Sequence, residues 1–428
     1  MEHPVDVGNY RPIALTSTLG KVLEGVVYSQ FHHQLETLLP DNIYGFRSSR
    51  GSQDALTDLL DYVKTQKAAG KYVALLSIDA TAAFDLLSHD LVLGSLKLLS
   101  FGPLMIAWSR SFFEDCRQFV QINKTKSESW SSNIGTGQGR KCSPDFFNVG
   151  YLTQVFLSVL SKFFGYADDG IDVVVGDSIS ECNDKIQKVA KLRSSWFKSS
   201  GLPINVAKSE LLGFGFSPTA ININGSTINP RPSIKFLGCQ IQSTLQWDLH
   251  VNDLCIKLRM AASRIRSDGR LFCKKDKLTL LNGWMLGSLH SNCLVFLPHL
   301  NDQHIQDLQC AMNAGVRAVE GIPCKGQAPL SEIREKLNIP SVKNVRDKVL
   351  MFNAWKQRHL IAPAPGSLSG PTTRARSRGN VPQPIQSGFI GKTTMSKLTC
   401  AWNSMPLEIK NCTSVKSVKA LIKKHIMS

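Results

Sequence analysis

A chain of 428 residues with 43% hydrophobic content can bury several cores, so it reads as a multi-lobed globular protein and not as a disordered one. Its 50 Lys and Arg against 33 Asp and Glu leave a formal charge of +17, a field that draws in polyanions, nucleic acid first, with acidic lipids or acidic proteins as alternatives. The 11 cysteines form no C-x-x-C pair, the Met-Glu-His-Pro start lacks signal-peptide character, and no apolar run approaches about 20 residues; a zinc ribbon, a secreted protein and a membrane span are therefore not expected.

The first 70 residues read as two helices around a turn. One runs near Gly20 to Leu35. The other runs near Ser52 to Lys64, with Ser52 as N-cap and Ala55, Leu56, Leu59, Leu60 and Val63 as its apolar stripe. Between them Tyr44 to Arg50 is a basic loop. Tyr72 to Ile78 is an apolar run of strand length ending at Asp79, which suits a buried central strand that delivers a carboxylate. The apolar stretches Phe163–Tyr166 and Ile171–Val175 bracket Ala167-Asp168-Asp169-Gly170, a hairpin signal with Asp at its tip.

Between these strands Gly135 to Gly139 forms a flexible loop that enters a helix. Pro144 suits that helix's first turn, and Phe147, Tyr151, Val155 and Val159 give its buried stripe. Residues 182 to 200 form another amphipathic helix ending near Gly201. After Trp247 the pattern turns helical, with Val251, Leu254, Cys255 and Leu258 on one face and Lys257, Arg259, Arg264, Arg266 and Arg270 supplying charge. Residues 361 to 390, rich in Pro, Gly, Ser and Arg, read as a linker, and Arg374 to Arg378 within them as a solvated basic run. A short basic helix closes the chain.

A strand-end Asp beside a hairpin-tip Asp pair supplies the oxygen ligands that hard divalent cations take during phosphoryl transfer. Two plainer readings stand beside this one. Asp-Gly is a favoured turn pair, and an Asp after a strand is a common helix N-cap.

The order of landmarks adds a resemblance. Asn9-Tyr10-Arg11-Pro12-Ile13, Gly45-Phe46-Arg47, Asp79 with Ala83-Phe84-Asp85, Gln138-Gly139, Tyr166-Ala167-Asp168-Asp169, Gly201-Leu202 with Asn205 and Lys208, and Phe236-Leu237-Gly238 resemble the successive motifs of non-LTR (LINE-type) retrotransposon reverse transcriptases. The likeness continues more weakly to Trp402-Asn403-Ser404-Met405-Pro406. It implies an α+β right-hand polymerase fold: fingers in 1–70, palm in 71–240 with an inserted fingers segment near 100–135, helical thumb in 241–330, and a basic, mostly helical extension in 331–428. The palm sheet is expected to be of mixed, βαβ type.

The resemblance also implies roles. Asp79 and Asp168 would be the principal metal ligands, with Asp169 completing the cluster and Mg2+, or Mn2+ in its place, as the ion. Arg47 would reach the incoming nucleotide's phosphates, Phe84 would pack under the sugar and exclude a 2′-hydroxyl, and Gln138 and Gly139 would approach the nascent pair. Lys208 would sit near the triphosphate, and Phe236, Leu237 and Gly238 would form the primer grip. The implied activity is RNA-directed DNA synthesis from a DNA 3′ end, in target-primed retrotransposition, with RNA template, DNA primer and dNTPs as partners. A nicking endonuclease is expected in trans or from a missing N-terminal domain, since only nine residues precede Tyr10. The expected location is intracellular, in cytoplasm or nucleus.

Two positions depart from the family pattern. Thr136-Gly137 stands where a proline usually precedes the glutamine, and Gly170 where a threonine is common; both changes are expected to add backbone freedom. Alternatives to the polymerase are a binding-only or truncated remnant of such an element and an intron maturase-like enzyme.

Overall fold

The structure, a computed structural model, describes residues 13–114, 117–155, 158–223, 225–324, 327–361, 381 and 393–427. Asn9 to Pro12, the basic run at 374–378 and all of the expected linker except 361 and 381 lie outside them. The chain divides into two compact units, residues 1–55 with 72–232, and residues 56–71 with 233–428.

In the first unit, α1 (Thr18–Leu38) starts where the Ser17 hydroxyl accepts from the Gly20 amide at 3.1 Å. α2 (Ser52–Ala68), whose residues from Leu56 onward belong to the second unit, begins one residue earlier than expected: the Gly51 carbonyl accepts from Asp54 and Ala55, while the Asp54 carboxylate accepts from the Gly51 amide at 2.8 Å. Gly51 is therefore the N-cap and Ser52 the first helical residue. β1 (Tyr72–Ala80) follows, then α3 (Ala83–Leu86), α4 (His89–Leu98) and α5 (Pro103–Phe113). The short strands β2 (Arg117–Gln118), β3 (Gln121–Ile122), β4 (Thr125–Lys126) and β5 (Trp130–Ser131) make an exposed ribbon, β2 with β5 and β3 with β4.

Next come α6 (Ser143–Leu152), β6 (Ser161–Tyr166), β7 (Asp169–Gly176), α7 (Ile179–Ser199), β8 (Ile204–Phe214), β9 (Ile221–Ile223) and β10 (Ser226–Ile228). Pro144 lies in the first turn of α6, and Phe147 and Tyr151 are buried as their spacing predicts. Val159 is not: α6 stops at Leu152, and Val159 is 84% exposed. The helical period was extended past the residue where the helix ends.

β6, β7, β1 and β8 form the main sheet in that order, and each neighbouring pair is antiparallel. This corrects the expectation of a mixed sheet. β6 does return from the helices in the same direction as β1, but β7 folds back between them and takes the edge that a parallel neighbour would have used. α7 packs on β7 and β1. Its N-terminus is fixed by Ser178, whose hydroxyl accepts from the Glu181 amide, and it stops before Gly201, which has φ +70°. One core joins the sheet to α1, α4, α6 and α7 through Phe31, Ile78, Val92, Phe146, Val174 and Phe197.

The second unit opens with the hairpin β11 (Ser233–Phe236) and β12 (Cys239–Gln242) and then α8 (Asp248–Ser267). The predicted face of α8, Val251, Leu254, Cys255 and Leu258, is buried, and α8 packs along the helix Asp302–Glu320. A second core gathers Trp355, Leu398, Trp402, Met405, Ile409, Val418 and Ile422. Within it the Trp402-Asn403-Ser404-Met405-Pro406 segment acts as a plug: Trp402 and Met405 are buried, and the Asn403 amide exchanges hydrogen bonds with both backbone groups of Val381. The basic closing helix is Val415–Met427. No helix among the described residues is long and apolar enough to cross a membrane.

Candidate active site

Asp79 is the penultimate residue of β1, and an irregularity in β8 shapes its surroundings. Ser77 pairs with Glu210 and Asp79 with Asn205, so residues 206–209 bulge opposite Ile78 alone. Buried Ser209 holds the bulge: its hydroxyl accepts from the Asp79 amide at 3.2 Å and donates to the Asn205 carbonyl at 2.9 Å. Lys208 rides on the bulge, exposed, and its charge reaches Asp79. Burial raises the Asp79 carboxyl above its ordinary range, Lys208 pulls it back, and Asp168 pushes it up again.

Asp168 lies in the two-residue turn Ala167-Asp168 that joins β6 to β7, with Ala167 at φ 55°. Asp169 is the first residue of β7, paired with Tyr166, so the turn is not the Asp-Gly pair of the plainer reading. Although the Asp169 side chain reaches solvent, the protein around it desolvates its carboxyl, and repulsion from Asp168 and then Asp79 adds to this, pushing it up to about 6. Asp79 and Asp169 thus both feel the Asp168 charge, with Lys208 as the cation acting on Asp79.

The segment after α1 is stitched to this hairpin. Tyr44 donates its amide to the Gly165 carbonyl at 2.8 Å, the Gly165 amide donates to Asn42, and the Asn42 side chain donates to the Phe163 carbonyl at 2.7 Å. Gly45 lies so close to the turn that a Cβ there would stand 2.2 Å from the Ala167 nitrogen. From the other side the Tyr151 hydroxyl donates to the Asp168 carbonyl at 3.2 Å. Behind the hairpin buried Asp172 of β7 takes two 2.8 Å hydrogen bonds from buried Arg193 of α7 and one of 2.6 Å from Ser161. Arg193 also donates to the Gln154 carbonyl and stacks over Phe163.

The two departures from the family pattern have physical reasons. Gly137 has φ +72°, which the proline ring forbids, so this loop follows a path that a proline could not take. Gly170 pairs with Gly165, and a Cβ on either would meet the Phe163 ring within 3 Å. Its φ is not positive, so the expectation of added backbone freedom is corrected: Gly170 makes room for the ring.

Phe84, at the start of α3, stacks on Phe147 at 4.0 Å and 11°, and Phe46 meets it edge-on at 5.7 Å. Phe147 in turn stacks on Tyr151 at 5.1 Å, so a column of rings runs from Phe84 to the residue that bonds Asp168. Gln138 donates to both oxygens of Asp85 at 3.1 Å, and its carbonyl accepts from Ala14 at 2.7 Å. Gly139 has φ +101° and lies against Ile13 and Ala14.

Arg47 departs from its expected place. Its side chain is 6% exposed, paired with Glu36 at 3.1 Å, and it donates to the carbonyls of Glu36, Pro40 and Ile43. Here it clamps the loop after α1; the sequence pattern carries no sign of the carbonyls that surround it. In the second unit Leu237 (φ 46°) and Gly238 (φ 81°) make the turn between β11 and β12, and the Leu237 carbonyl accepts from Asn292 at 2.8 Å. Lys257, Arg259, Arg264 and Arg270 are exposed, whereas Arg266 donates to the Ile322 carbonyl.

The sequence reading had no role for Ser209, Asn42, Arg193 or Asp172, and gave Tyr151 a place in a buried stripe but not its hydrogen bond to Asp168. Among the described residues no three His, Cys, Asp or Glu side chains stand as a ready ligand group. The donor set nevertheless fits a hard divalent cation: hard oxygens, an Asp168 charge that raises both Asp79 and Asp169, and partial burial of those two that an ion would compensate.

The sequence family described as "Reverse transcriptase (RNA-dependent DNA polymerase)" matches residues 3–241, more than half of the chain. The chain belongs to the reverse transcriptase family. The match takes in β1, the β6–β7 turn, the β8 bulge and the β11–β12 turn. Curated relatives agree with the LINE-type resemblance. An "RNA-directed DNA polymerase from mobile element jockey" of Drosophila funebris is 24% identical over 293 residues, covering 66% of this chain and 32% of the relative. A "Retrovirus-related Pol polyprotein from type-1 retrotransposable element R1" of Bradysia coprophila is 28% identical over 256 residues, covering 57% and 25%. The chain thus spans 32% or less of these two relatives. Among solved structures, apo telomerase from Candida Tropicalis aligns over 96% of this chain and 58% of its own, at 14% identity and a TM-score of 0.43. Membership of the reverse transcriptase family carries the α+β right-hand polymerase fold with it.

Proposed function

We propose that this chain is an RNA-directed DNA polymerase that adds dNTPs to a DNA 3′ end on an RNA template, with Asp79, Asp168 and Asp169 as its acidic centre. The observation that carries the reading is the placing, in a reverse transcriptase, of a carboxylate at the end of β1 and a carboxylate pair at the β6–β7 turn of the same sheet, where Asp168 acts on both Asp79 and Asp169.

Asp79 and Asp168 would hold divalent cations, Mg2+ or Mn2+, with Asp169 beside them. Two such ions, when bound, activate the attacking 3′ oxygen and neutralise the triphosphate. The chain's own residues do the rest. The Ser209 bulge, the Tyr151 hydroxyl and the Gly45 contact fix where the carboxylates stand, so little reorganisation is needed when substrate arrives. Lys208 is within electrostatic reach of Asp79, and its ammonium would give a proton to the departing pyrophosphate. Phe84, held flat on Phe147, would lie under the sugar and leave no room for a 2′-hydroxyl. Gln138 and Gly139 would border the nascent pair.

Residues 1–70 are assigned to fingers, 71–240 to palm, 241–330 to thumb and 331–428 to a basic extension. The Phe236-Leu237-Gly238 turn would grip the primer, and the exposed cations of α8 would meet duplex phosphates. In its element the protein would work by target-primed retrotransposition with a nicking endonuclease, in cytoplasm and nucleus. The test is direct: purified protein with RNA template, DNA primer, dNTPs and Mg2+ extends the primer, and EDTA stops extension. No product where a control polymerase gives one would contradict the proposal.

A further inference from the structure

We infer that Asp85 is a positioning residue for nucleotide selection: its carboxylate fixes which end of the Gln138 amide faces the incoming nucleotide. The inference rests on the reading of Gln138 as a nucleotide-facing group.

The Gln138 amide nitrogen lies 3.1 Å from each oxygen of Asp85, a two-point contact. A carboxylate only accepts hydrogen bonds, so the partner it holds must be the NH2 end of the amide. The orientation of a glutamine amide is ordinarily ambiguous, and here the chemistry of Asp85 removes the ambiguity. The carbonyl end, Oε1, is left as the face turned away from Asp85, and Gln138 becomes an acceptor toward substrate with its donor end occupied.

The backbone on both sides is fixed as well. The Gln138 carbonyl accepts from Ala14 at 2.7 Å, and the loop that carries it is tied to the α3 region by Thr136 donating to the Phe84 carbonyl at 3.0 Å and Gly135 donating to the Leu87 carbonyl at 2.8 Å. A Cβ on Gly135 would stand 2.8 Å from the Asp85 carbonyl oxygen, so loop and α3 are in direct contact. Asp85 therefore links two groups that would meet one nucleotide: Phe84, its neighbour on α3, against the sugar, and Gln138 beside the nascent pair.

The test is a double-mutant cycle read as the KM for dNTP and kcat separately, with RNA template and Mg2+. Gln138→Ala and Asp85→Ala are each expected to raise KM on the order of tenfold with a smaller change in kcat, the scale of losing one hydrogen bond to a charged group. The combined variant is expected to be no worse than Gln138→Ala alone, because without the amide there is nothing for Asp85 to orient. Asp85→Asn, whose amide can hold Gln138 in either orientation, is expected to fall between parent and Asp85→Ala and to retain the parent's thermal midpoint.

If Gln138→Ala leaves KM unchanged, the nucleotide-facing role of Gln138 fails, and this inference with it. If Gln138→Ala raises KM but Asp85→Ala does not, or if the two effects multiply, Gln138 stands and the positioning role of Asp85 is overturned. If Asp85→Asn folds as the parent does yet shows the full effect of Asp85→Ala, a negative charge and not amide orientation is what matters, and the inference fails.

Discussion

Gly45 was legible as a landmark but not as a contact. The sequence places it in a basic loop; the structure lays its α-carbon against the peptide of the Ala167-Asp168 turn, where a methyl group would sit 2.2 Å from the Ala167 nitrogen. Gly45→Ala must therefore push the loop or the turn aside, at a cost of roughly 1–3 kcal/mol. It is expected to lower the thermal midpoint and to lower kcat more than substrate affinity, since the displaced atoms belong to the carboxylate turn. Asp145 is a second residue that pattern could not expose. Buried in the first turn of α6, it accepts from His32 at 3.0 Å, and desolvation, opposed by His32, pushes its carboxyl up to about 6. A carboxyl raised in the folded state stabilises that state while protonated, so stability from this group is present at about pH 4 and declines as pH rises to about 6, by roughly 2–3 kcal/mol. Asp145→Asn should flatten this part of the stability profile measured by urea unfolding; an unchanged slope would contradict the assignment.

At the scale of elements, β1 and the β6–β7 hairpin were legible because apolar runs of strand length ended at Asp. What anchors them was not, because a pair such as Asp172 and Arg193 is separated by a strand end and most of a helix and has no local signature. Arg193→Met would leave Asp172 buried without its cation and is expected to destabilise the protein by about 3–5 kcal/mol, with Arg193→Met/Asp172→Leu recovering most of the loss. If the double variant is no more stable than the single one, the ion pair is not what holds the hairpin to α7. The β11–β12 turn offers a converse case. Leu237 has φ 46°, a conformation that costs a branched side chain about 1–2 kcal/mol and suits Asn. Leu237→Asn should raise the thermal midpoint and, if Leu237 touches the primer, weaken primer binding at the same time. A variant both more stable and equally tight on primer would remove Leu237 from the grip.

At the scale of the whole molecule, motif order carried the family, because seven short landmarks in sequence constrain one topology far more than any of them does alone. The division into two units was less legible: the apolar stripe of α2 says that a face is buried, not that residues 56–71 belong with the C-terminal helices, where Asp61 accepts from the backbone of Thr394 at 2.8 Å. The all-antiparallel order of the sheet was hidden for a related reason, since β7 is recognised as a hairpin strand without any sign of which edge it takes. The acidic centre makes a claim at this scale, that RNA binding and DNA synthesis can be separated by changing two carboxylates. The measurement that tests it most directly is primer extension on a defined RNA template, comparing the parent with an Asp168→Asn/Asp169→Asn variant matched for folding and RNA affinity. The account predicts Mg2+-dependent extension by the parent and none by the variant. Equal extension by both would contradict the assignment of the carboxylates, and none by either, with RNA still bound, would contradict the polymerase reading itself.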